Sequence, residues 1–351
     1  MAEWPKREFT KGEIDRAAAA LLPWWAGPAP PPDNLGFLWR VVQNWRMSHG
    51  LPLNVFQACL RSRAKRVDEE IIVAQRMKRM ASALYKLHRE PTMKLSQMQD
   101  LGGCRAILPD VGGVDALYGM YRGDEPLFDF ESSLKCYDYI RKPKDDGYRG
   151  IHIVGRYRAR VQSREAWNGQ RIEIQLRSRL QHAFATTVET VTTFTREPLK
   201  FGAGPVKWRR FFSLMGSALA IREMTQLVAD TPTNETELIK ELRDSIKALK
   251  VRQRLKAWTS TLRTLPRKNI QGFKWLLLIL NLRDNTIKVR GFASRREASE
   301  VIAEIEQAKN SDLDAVLVWV KSVDDLRAAY PNYYADTREF IGALDWATRR
   351  Q

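Results

Sequence analysis

The chain has 351 residues, of which 44% are hydrophobic and 28% charged, enough for about two globular domains with substantial cores. Three cysteines without CxxC spacing and four histidines argue against a disulfide framework or a structural zinc site. A net charge of +17 favours a polyanionic partner, either nucleic acid or nucleotides bearing several phosphates, although a solvated basic surface gives the same count.

"MAEWPKREF" lacks the apolar core of a signal peptide, and "WLLLIL" at 275–280 is too short to span a bilayer, so a cytoplasmic protein is expected. "KGEIDRAAAALL" predicts a short helix, ended by the proline-rich breaker "GPAPPPDN" at 27–34. From about 36 to 90 the pattern reads as helical throughout, closing with "VAQRMKRMASALYKLHRE". Short strands follow at 104–108, 151–161 and 171–176, then a helix from about Leu180 through "QHAFATTVETVTTF".

"DTPTNE" at 230–235 predicts a domain boundary. Beyond it Ile239, Leu242, Ile246 and Leu249 recur at three- and four-residue steps and predict an amphipathic helix. A strand at 274–282, a turn at Asp284-Asn285 and a strand at 286–292 come next. A helix opened by Ser294 with Glu297, the strand "AVLVWV" at 315–320 and two terminal helices complete the chain.

Four segments carry candidate chemistry. In "RMKRMASALYKLHR", 76–89, a helix would align Arg76, Arg79, Ala83, Lys86 and Arg89, with Lys78 and Ser82 beside them. A solvated basic helix or a triphosphate clamp satisfies that pattern. "QDLGGCRAIL" sets Asp100 before a glycine pair and Arg105 in a strand, which suits a Mg²⁺ ligand near phosphates or an ordinary turn. "KPKDDGYRGIH", 142–152, brings Lys142, Lys144, Tyr148 and His152 to the mouth of a strand, which suits cations for phosphate and rings for a base or a basic surface hairpin with one packed tyrosine. "RIEIQLRS" puts Glu173, Gln175 and Arg177 on one strand face, with Ile172, Ile174 and Leu176 on the other.

In this order and at these intervals, the four segments resemble the synthetase domain of the RelA/SpoT family over roughly residues 36–225. The resemblance implies an α+β fold, a mixed β-sheet flanked by helices as in nucleotidyltransferase-like folds, with a smaller C-terminal α/β domain. It divides the chain into an N-terminal helix and Pro-rich segment (1–35), a pyrophosphokinase domain (36–230) and a regulatory domain (231–351). It implies ATP bound by Arg76, Lys78, Ser82, Lys86, Arg89 and Arg105, and Mg²⁺ held by Asp100 and Glu173, which are also the catalytic pair. It assigns Lys142, Lys144, Tyr148, His152, Gln175 and Arg177 to the acceptor.

The reaction so implied is pyrophosphate transfer from ATP to a ribose 3′-hydroxyl. That hydroxyl belongs either to GDP, GTP or an adenine nucleotide, in a (p)ppGpp or (p)ppApp alarmone synthetase of the stringent response, or to the tRNA 3′ end, in a translation toxin. A catalytically inactive RNA- or partner-binding module is the third reading. Thr186 and Thr190 stand where family members often carry an acidic residue and a histidine, while Glu189 is kept. No His-Asp hydrolase segment precedes the synthetase, so synthesis without the reverse hydrolysis is expected.

Tyr330-x-x-Tyr333 after a small strand–helix region, in a stretch (233–351) without Cys or His, resembles the neutralising segment of CapRel-type fused toxin–antitoxin proteins. That resemblance implies a pseudo-zinc-binding C-terminal domain whose tyrosines block the adenine pocket. It also implies release of the block by a phage capsid protein, as a form of antiviral defence.

Overall fold

The computed structural model describes residues 4–123, 134–195, 205–261, 263–264, 273, 275–281, 283–284, 286–308, 312–319 and 337–349. The chain begins with α1 (Lys11–Ala26), α2 (Leu35–Ser48) and α3 (Gly50–Ala64), followed by β1 (Ile72–Met77), α4 (Met80–Arg89), β2 (Gly102–Leu108) and α5 (Val111–Arg122). Then come β3 (Lys135–Asp138), β4 (Ile151–Arg156), β5 (Arg171–Ser178), α6 (Arg179–Thr195) and α7 (Val206–Glu223). The C-terminal part holds α8 (Glu235–Leu249), α9 (Val251–Thr261), β6 (Arg263–Thr264), β7 (Trp275–Asn281), β8 (Thr286–Phe292), α10 (Arg295–Gln307), β9 (Leu313–Trp319) and a last helix, α11 (Arg338–Arg349).

One expectation is overturned at β1. Residues 36–90 are not helical throughout, because Ile72–Met77 form a strand and α4 starts at Met80. The β-branched run Ile71-Ile72-Val73 favours the extended chain. The helical period begins later, with buried Met80, Ala83, Leu84 and Leu87. Arg76 is therefore a strand residue, Lys78 and Arg79 lie in the joint, and only Ser82, Lys86 and Arg89 ride on the helix. The strand foreseen at 151–161 is also shorter, ending at Arg156.

Among the described residues the strands form a nine-stranded mixed sheet in the order β3-β4-β5-β2-β1-β9-β7-β8-β6. β2 and β5 run parallel, and β1 is antiparallel to β2 on one side and to β9 on the other. Strand pairing therefore continues from the N-terminal strands into the C-terminal ones, through Gln75 opposite Trp319 and Arg76 opposite Val318. One face of strands β1, β2, β4 and β5 (Val73, Met77, Cys104, Ala106, Ile151, Ile153, Ile172, Ile174, Leu176) packs on Leu51, Leu53, Phe56 and Leu60 of α3 and on Val114 and Leu117 of α5.

The helical layers make two further cores. α1, α2 and α4 share Ile14, Leu21, Val42, Trp45, Met80 and Leu84. α6, α7, α8 and α11 share Phe184, Phe211, Met215, Leu238, Leu242, Ile246, Phe340 and Leu344. The predicted stripe on α8 is thus buried, with Ile239, Leu242, Ile246 and Leu249 all facing inward. The turn between β7 and β8 includes Arg283 and Asp284. Tyr330 and Tyr333 lie outside the described residues, as does all between β9 and Thr337.

Removing residues 232–351 would strip β9 from β1 and α8 and α11 from α7. An unpaired strand edge and an apolar helix face would then meet water. The truncated protein is expected to aggregate or to melt well below the full chain, which size-exclusion chromatography and thermal denaturation will read. A monomeric truncation of unchanged melting temperature would contradict this account of the packing.

Candidate active site

Register alone brings the polar face together. Arg76 of β1 is opposite Gly103 of β2, which pairs with Glu173 of β5, and Arg105 pairs with Gln175. His152 of β4 is opposite Gln175, and Tyr137 of β3 is opposite His152. Residues paired in this way point to one side of a pleated sheet. Arg76, Arg105, Glu173, Gln175, Arg177, His152 and Tyr137 thus share the face turned away from α3 and α5.

Around Glu173 the side chains close into a network. Glu173 Oε1 is 2.8 Å from His152 Nδ1, and Glu173 Oε2 accepts from Gln175 Nε2 at 2.6 Å. Gln175 Oε1 accepts from Arg177 at 2.9 Å, and Arg177 donates through Nε (3.1 Å) and Nη2 (2.9 Å) to the Tyr148 hydroxyl. The circuit returns through Tyr148 Oη to His152 Nε2 at 2.5 Å. Burial alone would push the Glu173 carboxyl up, but His152 and then Gln175 hold it below the usual carboxylate value, against the charge of Asp100. Burial raises the Tyr148 phenol above its ordinary value, with Arg177 acting against the rise.

A second carboxylate sits among cations. Asp100 accepts from Lys78 Nζ at 2.6 Å and from Lys86 Nζ at 3.5 Å. Burial would raise its pKa, yet the two ammonium groups hold it well below the carboxylate range. The strand–helix joint is what lets both lysines reach one aspartate, since Lys78 precedes α4 and Lys86 lies in its second turn. Arg76 faces Glu189 of α6 at 3.9 Å, and Arg89 pairs with its neighbour Glu90 at 2.8 Å on the exposed end of α4. Ser82 is half-buried on the same helix.

Thr186 and Thr190 turn their hydroxyls back on their own helix. They donate to the His182 carbonyl at 2.8 Å and the Thr186 carbonyl at 2.9 Å, and both side chains are buried.

The loop 139–150 supplies rings and cations. Lys144 Nζ lies over Tyr139 at 4.4 Å and over Tyr148 at 5.2 Å, and the Arg177 guanidinium lies 5.1 Å from the Tyr148 ring. Tyr137 and Tyr139 stack at 6.1 Å with their planes 6° apart. Neither had been picked out from the sequence, although "YDY" already places them on one side of a strand. Lys142 is exposed at the loop's outer turn.

Arg149 is a further residue that sequence reading missed. It is buried and donates to the carbonyls of Gly216 and Gln226, both at 2.5 Å, which ties the loop to the middle of α7 and to the segment that follows it. Burial lowers its pKa to about 10. The tie requires glycine on both surfaces. Gly147 has φ +86°, and a Cβ there would lie 2.4 Å from the Phe212 carbonyl oxygen. A Cβ on Gly216 would lie 2.7 Å from Gly147 Cα.

Among the described residues no group of three or more His, Cys, Asp or Glu side chains is placed to hold a metal ion. Mg²⁺ at phosphates needs fewer protein ligands, one or two carboxylates with phosphate and water supplying the rest. Asp100 and Glu173, close enough for the charge of Asp100 to act on Glu173, fit that requirement.

Gly147→Ala is expected to destabilise the protein by at least about 2 kcal/mol, since it combines a left-handed backbone with a backbone clash. Denaturant titration will measure it, and a loss under half a kcal/mol would show that the loop accommodates a side chain there.

Residues 75–196 match the model of a region found in RelA / SpoT proteins. No curated protein matches the chain. Among solved structures, small alarmone synthetase 1 from Bacillus subtilis, bound to its product pppGpp, is 22% identical and aligns over 52% of this chain and 92% of its own, with a TM-score of 0.44. Small alarmone synthetase 2 from the same organism is 18% identical over 51% of this chain and 92% of its own, TM-score 0.42. A GTP pyrophosphokinase family protein from Streptococcus pneumoniae is 20% identical over 50% and 86%, TM-score 0.40. No helix among the described residues is long and apolar enough to cross a membrane. Residues 75–196, the stretch that holds Asp100, the Glu173 network and the tyrosine-lined loop, are thus similar to the region found in RelA / SpoT proteins.

Proposed function

We propose that the protein transfers a pyrophosphoryl group from ATP to a ribose 3′-hydroxyl. The observation that carries this reading is the Glu173 network: a carboxylate kept ionised inside a polar circuit, facing a second carboxylate held by two lysines. Arg76, Lys78, Lys86 and Arg105 would balance the triphosphate, with Ser82 and Arg89 further along the helix. In the reaction the acceptor oxygen bonds to the β-phosphorus, the bond from that phosphorus to the α–β bridging oxygen breaks, and AMP leaves. The hydroxyl proton passes to the Glu173 carboxylate, which His152 keeps oriented through Nδ1. Asp100 and Glu173 would hold Mg²⁺, which would supply positive charge to offset that of the phosphates.

The acceptor's base would stack among Tyr148, Tyr139 and Tyr137, taking the place over the rings that Lys144 now occupies and freeing its ammonium, with Lys142, for phosphate. Tyr148 touches both the rings and the Glu173 circuit through its hydroxyl, so a stacked nucleoside has its ribose near the carboxylate. The tRNA 3′ end is the acceptor we favour, because a net charge of +17 suits a long polyanion better than a single nucleotide. Labelled ATP offered with tRNA, GDP or GTP in parallel decides the acceptor. Glu173→Gln should lower transfer by a hundredfold or more while leaving the melting curve in place. Activity of the variant within tenfold of wild type would remove Glu173 from the chemistry.

The same reading includes a brake. Tyr330 and Tyr333 follow β9, whose last residue is paired with Gln75, next to the phosphate-side Arg76. Two rings delivered there would find guanidinium groups on which to stack. A bias of about 2.7 kcal/mol keeps such an enzyme roughly 99% shut, and a phage capsid protein bound to the C-terminal part would offset it, in a defence against infection. Tyr330→Ala with Tyr333→Ala is expected to raise basal transfer and make expression toxic, and adding Glu173→Gln should remove the toxicity. A folded double-tyrosine variant no more active than wild type would mean that the tyrosines serve packing.

A further inference from the structure

The nucleotide-side helix α4 begins without the means to complete its own first turn. Its N-cap residue is Arg79, whose guanidinium donates and cannot accept, and Met80-Ala81-Ser82-Ala83 carry no acidic side chain. The acceptor comes from the far end of the chain. Glu306, in the last turn of α10, accepts the Met80 backbone N–H through Oε1 at 3.0 Å. Its two oxygens also take Arg46 Nη1 at 3.0 and 2.8 Å, and Gln43 Nε2 reaches Oε2 at 3.4 Å. Arg46 in turn donates to the Lys78 carbonyl at 3.3 Å, and the Lys78 N–H is bonded to the Leu101 carbonyl at 2.8 Å. Arg46 and Glu306 are 2% and 8% exposed, so this carboxylate and guanidinium have exchanged water for one another.

The peptide groups on both sides of Lys78 and Arg79 are therefore fixed, and the outer support is a buried anion 226 residues away in sequence from the helix it caps. Lys78 and Lys86 converge on Asp100 only if the strand-to-helix joint keeps its angle. We propose that Glu306 is a positioning residue of the nucleotide site, supplied by the C-terminal part of the chain, and that α10 must stay docked on the joint for that site to hold its geometry. The proposal rests on reading Asp100, Lys78 and Lys86 as part of the ATP site. It also restricts the brake: release of the tyrosine segment must leave α10 in place, because full departure of the C-terminal part would strand Arg46 and uncap α4.

Two full-length variants test this. Glu306→Gln keeps the shape and one acceptor oxygen but removes the charge. Arg46→Met with Glu306→Leu removes both charges and leaves neither one buried alone. The readouts are KM for ATP and for the acceptor, and hydrogen exchange of the amides at the start of α4. In both variants KM for ATP is expected to rise about tenfold, KM for the acceptor to stay within about twofold, and exchange at Met80–Ala83 to quicken by an order of magnitude. Should the double variant fail to fold, Glu306→Gln decides alone. ATP KM within twofold of wild type and unchanged exchange in a folded variant would overturn the assignment. If wild type transfers no pyrophosphate to any acceptor, the functional reading falls, while the exchange of α4 still judges the anchor.

Discussion

Strand β1 has a hydrogen-bonded partner on each side, and most of the arrangement around the site depends on that. β2 fixes its register so that Arg76 stands in line with Gly103 and Glu173, and β9 closes its other edge. A strand so held cannot slip, because a one-residue shift would turn Arg76 into the core and Met77 out of it. Where β1 ends, the chain must turn into α4 within three residues, and the direction of that turn decides whether Lys78 and Lys86 meet. Sheet pairing thus sets the electrostatics of the site before any side chain is considered.

The charges follow a consistent rule. Each carboxylate on the polar face is partly buried, and burial disfavours the charged form. Each is kept ionised by a partner of its own: the two lysines for Asp100, His152 and Gln175 for Glu173. Burial works against the charge of each carboxylate, and the partner outweighs it. The lysines that hold Asp100 are also the groups that would meet triphosphate. An arriving nucleotide therefore competes with Asp100 for them, and a divalent cation that neutralises the carboxylate would free the ammonium groups for phosphate. In the proposed reaction, binding of metal and of nucleotide would be coupled through that one aspartate.

Much of this could be read from the sequence, because alternation in "RIEIQLRS" fixes which side of a strand meets the core. Glu173, Gln175 and Arg177 needed no more than a period of two. The amphipathic stripe on α8 was equally local. The helix across 76–89 was misread because cations spaced by three and four continue a helical count backwards into a strand. Arg76 and Lys78 fit both periods, and only the β-branched residues before them separate the two. Nothing in the sequence signals the role of Arg149, since its partners are carbonyls 67 and 77 residues away. Backbone acceptors leave no trace in side-chain pattern. The β1–β9 pairing and the Glu306 anchor were hidden for the same reason: non-local register has no local code.

The C-terminal part is clasped at two places that differ in character. α8 and α11 join α6 and α7 through an apolar core, which is non-directional and tolerates small shifts. α10 and β9 join β1 and α4 through backbone pairing and a buried carboxylate, which are directional and fail sharply when displaced. A small displacement of the C-terminal part would therefore be absorbed at the first contact and felt at the second. The ends of the sensitive contact are Arg76 on the sheet face and Met80 at the helix start, with Lys78 between them. Because the C-terminal part supplies the cap, the two parts of the chain share a single strand-to-helix joint.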